Sequence, residues 1–98
     1  MGMTGKPAST APGREDIVAT LVLYVLSQHP STYNESTLPR DRSLLDLGVI
    51  DSPGVVEMLV FVESAWGIEI SDKDLTTERI GSLNKLAALV QDYVARKG

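Results

Sequence analysis

The chain has no cysteine and only one histidine, His29. Without cysteine there is no disulfide framework, no thiolate nucleophile and no zinc–thiolate site, which is compatible with a reducing compartment. A single imidazole, placed at the far end of the first apolar segment, gives no serine the base and orienting acid of a hydrolase triad. No Gly-x-Ser-x-Gly elbow is present either. Asp72 and Asp74 lack the rest of a calcium-loop pattern, so no catalytic residue and no metal site is expected. His29 itself reads as a solvated helix-end residue. No run reaches the roughly 18 apolar residues of a membrane span, and the N-terminus lacks the apolar core of a signal peptide. These absences predict a cytoplasmic monomer that is not an enzyme.

What remains is enough for one domain. A chain of 98 residues with 43% hydrophobic side chains builds a single core of modest size, resting on packed aliphatic groups. A large enzyme cleft would be hard to build from it. The net charge is −4, and it is unevenly placed. Residues 46–74 hold Asp46, Asp51, Glu57, Glu63, Glu69, Asp72 and Asp74 against Lys73 alone, which leaves the rest of the chain slightly basic. Such a block repels nucleic acid and anionic membranes and attracts basic protein surfaces.

Residues 1–13 are small, polar and rich in Pro and Gly, and are expected to form a disordered tail ahead of a domain over 14–98. From 14 to about 28, Ile17, Val18, Leu21, Val22, Val25 and Leu26 recur at helical steps, with Glu15 and Asp16 in the first turn. Pro30 ends this first helix. A long connection over 30–43 follows, anchored by Leu38, Leu44, Leu45 and Leu47. Residues 52–66 read as a second helix with Ser52 at its N-cap, Pro53 at the first helical position and Gly67 as a left-handed stop. Residues 71–80 hold one short helical turn, and Ile68-Glu69-Ile70 alternates without a partner strand. Leu83, Leu86, Ala87, Leu89, Val90, Tyr93 and Val94 trace a last helix capped by Ser82. The predicted fold is an all-α four-helix bundle: three main helices, one short helix and a long first connection.

The second helix has more apolar surface than one buried face requires. A 100° step sets Val55, Met58, Leu59, Val62 and Trp66 toward the core. Val56, Glu57, Val60, Glu63 and Ser64 fall on the opposite side. Two valines interleaved with two carboxylates form a candidate docking surface, although scattered surface valines are also common. Trp66 and Tyr93 read as aromatics of the core or its rim.

The segment Asp46-Leu47-Gly48-Val49-Ile50-Asp51-Ser52, then Val55-Val56-Glu57 and Trp66-Gly67-Ile68-Glu69-Ile70, resembles the acyl carrier proteins. The resemblance spans residues 14–93 and implies a four-helix bundle that carries 4′-phosphopantetheine on Ser52, transferred from coenzyme A by a phosphopantetheinyl transferase. It implies that acyl or aminoacyl groups ride on that arm as thioesters, so that the cofactor supplies the thiol the chain lacks. Asp51, Glu57 and Glu63 would then meet basic grooves on loading and biosynthetic enzymes of fatty-acid, polyketide or related pathways, with Pro53, Val56 and Val60 in the same contact. Pro53 departs from the family, which usually shows leucine there and so presents an apolar side chain to its partners. Val49-Ile50-Asp51-Ser52 is more similar to freestanding acyl carriers and to D-alanyl or aminoacyl carriers than to peptidyl carriers. A helical interaction module with no prosthetic group, using the same helix and keeping Ser52 as a plain cap, is the alternative.

Overall fold

Two long connections and three fifteen-residue helices account for most of the chain. The computed structural model describes residues 12–97. In order come α1 (Arg14–Gln28), α2 (Ser52–Trp66), a 3₁₀ turn (Asp72–Asp74), α3 (Thr77–Ile80) and α4 (Leu83–Lys97), with no strand among the described residues. The fold is the all-α bundle that the periodicity predicts. Most of the expected N-terminal tail, residues 1–11, lies outside the described residues.

Helix α1 starts where Gly13 O accepts Ile17 N–H at 3.1 Å and ends where His29 N–H reaches back to Val25 O at 2.8 Å. Its buried stripe is Ile17, Val18, Leu21, Val22 and Val25, and the stripe packs mainly on α4. There Leu83, Leu86, Ala87, Leu89 and Val90 are all buried. Each such aliphatic side chain contributes about 1.5–3 kcal/mol when fully withdrawn from water. Ser82 starts α4 as expected: its Oγ accepts Lys85 N–H at 3.2 Å.

The first connection is ordered by its own polar groups. Asn34 Oδ1 accepts Ser36 N–H at 2.8 Å and Thr37 N–H at 3.1 Å. The Arg40 guanidinium donates to Leu38 O and Glu35 O, while Arg40 O accepts Asn84 N–H at 2.8 Å and ties the connection to α4. Leu38 and Leu44 anchor it in the core and Leu47 is half-buried. Leu45, expected as a fourth anchor, is 48% exposed. Residues 44–48 fold into a turn in which Leu44 O accepts Val49 N–H at 3.0 Å, so neighbouring leucines point to different sides. Val49 and Ile50 supply the inward packing instead.

At the other end of α2, Gly67 adopts φ 64° and its N–H caps Glu63 O, the left-handed stop expected from sequence. Ile68 and Ile70 follow, both with their side chains in the core. The predicted single helical turn over 71–80 is two turns, the 3₁₀ turn and α3. A buried carboxylate holds them to α4: Asp74 Oδ2 accepts Tyr93 O–H at 2.5 Å, and Tyr93 Oη accepts Ser71 N–H at 2.9 Å. Arg79 bonds Asp74 Oδ1 at 3.2 Å and lies 3.7 Å from Asp92. Tyr93 therefore does more than line the rim of the core.

Candidate functional site

The start of α2 is built by the residue before the serine. Asp51 has extended backbone, its carbonyl accepts Val55 N–H at 3.0 Å, and its Oδ1 accepts Gly54 N–H at 2.8 Å. Asp51 is the N-cap, and Ser52 is the first helical residue. This corrects the sequence expectation: either residue type can cap a helix, and here the Asp51 carboxylate makes the bond to Gly54 N–H. The consequence favours chemistry at Ser52, because its hydroxyl is not spent on capping. Asp51, Ser52 and Pro53 are all exposed.

The helix tip offers few donors to an anion. Pro53 has no N–H, Gly54 N–H is bonded to the Asp51 side chain, and Val55 N–H to the Asp51 carbonyl. Of the first turn, only Ser52 N–H is left for a phosphate oxygen. A phosphodiester fits at Ser52 as a group displayed on an open surface, with the helix dipole favouring it and the Asp51 charge opposing it. The site suits a tether and is poorly made for binding a free anion.

Along the rest of α2 the two faces separate as the 100° step predicts. Met58 and Val62 are buried, while Val55, Leu59 and Trp66 pack against the core from its edge. Val56 and Val60 are 61% and 60% exposed, and Glu57 and Ser64 are exposed beside them. Glu63 is different. It is half-buried, and its Oε2 accepts Ile70 N–H at 2.8 Å, so this carboxylate also holds the chain that leaves α2.

Ile50, Val55 and Met58 form one wall of a cavity of about 260 Å³, whose other walls come from residues 43–46, 75–77 and 80–83; Ser52 itself does not line it. Leu45 and Leu75, both partly open to solvent, also line it. Sequence alone could not show this space, because it lies between segments distant along the chain.

Two features of the site went unread in the sequence. Gly54 is buried, and its small size is required (see below). Phe61, which falls between the two faces of α2, stacks on Tyr24 of α1 with ring centroids 4.4 Å apart and planes 18° apart. Burial, and then the nearby Glu57 carboxylate, push the Tyr24 phenol above its ordinary range. His29, expected in solvent, is half-buried, lies edge-on to Tyr24, and has an Nε2 without a hydrogen-bond partner. The signal available for this packing was Gly54, whose missing Cβ permits a close approach to the backbone.

No family model matches this chain. It is 38% identical over 55 residues to a D-alanyl carrier protein of Abiotrophia defectiva, a match covering 56% of this chain and 70% of that protein. The chain belongs to the carrier protein family. The carrier's described residues contain no cluster of metal-ligating side chains and no helix long and apolar enough to cross a membrane.

Proposed function

We propose that Ser52 Oγ carries a 4′-phosphopantetheine arm and that the protein holds an acyl or aminoacyl group as a thioester on it. In the attachment step, a separate transferase takes the Ser52 proton. Ser52 Oγ forms the bond to phosphorus as the nucleotide part of coenzyme A leaves. The arm supplies the thiol that the chain lacks. The chain's own residues orient and present: Asp51 fixes the first turn, Ser52 projects from it, and Val56, Val60 and Glu57 offer a face for enzymes with basic surfaces, with Pro53 at its edge. Glu63 adds negative charge to that face while anchoring Ile70.

The observation that carries this reading is the exposed, uncapping hydroxyl of Ser52 at the head of a helix whose outer face keeps two valines in water. The D-alanyl carrier relative supports a small aminoacyl cargo. The cavity walled by Ile50, Val55 and Met58 supports a short acyl chain of fatty-acid or polyketide type as the other class of cargo. We place the protein in the cytoplasm as a monomer, where coenzyme A and the transferase meet it.

Incubation with coenzyme A and a broad-specificity transferase should raise the intact mass by one phosphopantetheine unit, and Ser52→Ala should abolish the gain. A gain that survives Ser52→Ala would move the arm elsewhere. No gain with any transferase tested would leave α2 as a docking helix without a prosthetic group.

A further inference from the structure

Behind the turn that presents Ser52 stands the ring of His29. A Cβ placed on Gly54 would lie 2.7 Å from His29 Cε1, 2.7 Å from Ile50 Cγ1 and 3.0 Å from Asp51 Oδ1. The imidazole therefore rests directly on the α2 backbone at its third helical position. Residues two apart on a helix point about 200° apart, so His29 stands on the side of α2 away from Ser52 and does not contact a group carried there. What it contacts is the peptide whose N–H the Asp51 cap holds at 2.8 Å.

The backbones of α1 and α2 hardly approach each other, and aromatic rings fill the space between them. His29 meets Tyr24 edge-on at 6.5 Å, Tyr24 stacks on Phe61, and Phe61 meets Trp66 edge-on at 6.2 Å. This column runs behind α2 from its first turn to its last residue, with His29 as the end rung under the attachment site. Because His29 Nε2 is buried without a partner, the nitrogen adds nothing to the brace and lowers stability. The contact works by shape.

We infer that His29 is a positioning residue for modification of Ser52: its ring, laid on Gly54, holds the Asp51–Ser52 turn in the pose a transferase must meet. This rests on the carrier reading above. The test is steady-state modification of the full chain by a transferase with coenzyme A, followed by intact mass, with thermal unfolding measured in parallel. His29→Ala should lower kcat about tenfold, because small misplacements of a nucleophile are costly, and should leave KM for the carrier within about twofold, since the docking face is untouched. His29→Phe, which keeps a flat ring without the unpaired nitrogen, should recover most of the rate. Val90→Ala, a core truncation on α4, should lose thermal stability and keep kcat.

A wild-type kcat in His29→Ala, a His29→Phe variant as slow as His29→Ala, or an equal loss in Val90→Ala would each overturn the positioning role while leaving the carrier reading intact. Absence of any mass gain in the unsubstituted protein would overturn both.

Discussion

Asp51 and Ser52 sit side by side at the head of α2, and their side chains have opposite obligations. The carboxylate is bound into the helix, and the hydroxyl is left outside it. Replacing Asp51 by Ala should therefore cost about 1 kcal/mol in urea unfolding, whereas Asn, which also caps, should cost only a few tenths. If the Asp51 charge also meets a basic partner, both variants should raise KM for the transferase equally, separating charge from capping. Gly67 is constrained differently. Its φ of 64° lies in the left-handed region, so Gly67→Ala should lower stability by about 1 kcal/mol, read as a drop in the unfolding midpoint. The Ser82 cap and the Gly67 stop were readable as short-range patterns, and so was the position of Ser52 at the head of α2, though not its place inside the helix. Asp51 as the cap was not, because Asp and Ser are nearly equal in that role and only the observed bond decides between them.

Helix α2 presents its valines without needing them for its own folding. Val56→Ala and Val60→Ala should shift stability by less than about 0.5 kcal/mol. Each should still weaken binding to a partner enzyme, measured by titration calorimetry with the modified carrier. The 3₁₀ turn and α3 behave in the opposite way, as elements held in place by charge. The Tyr93 hydroxyl, foremost, holds the Asp74 carboxyl below the usual carboxylate range; Arg79, Lys73 and Arg96 act in the same direction, and burial opposes them. A folded value below the unfolded one of about 3.9 means this contribution is present above that pH and lost as pH falls through the folded value. The stability gap between wild type and Asp74→Asn should therefore be widest at neutral pH and close on acidification below about pH 4, as followed by urea unfolding across pH. A gap independent of pH would show that the Asp74 charge is not what fastens the turn. Tyr93→Phe should also narrow the gap, by removing the donor that acts most strongly on Asp74.

For the molecule as a whole, the net charge of −4 and the concentration of acids in residues 46–74 set how it meets others. Affinity for a basic partner should fall steeply with added salt, through slower association, because exposed charges are screened beyond about 10 Å at 0.1 M. Salt-independent binding would assign recognition to the valines alone. Legible before folding were the all-α class, the limits of α1, α2 and α4, their buried stripes and the serine at the head of α2. Those features follow from helical periodicity and local stop and start signals, which act over a few residues. It takes the packed chain to show that Leu45 faces water, that Tyr93 bonds the buried Asp74, that Glu63 accepts from Ile70, and that His29 lies against Gly54. Each depends on which distant segment fills the neighbouring space, and close packing between segments leaves no periodic trace in either one.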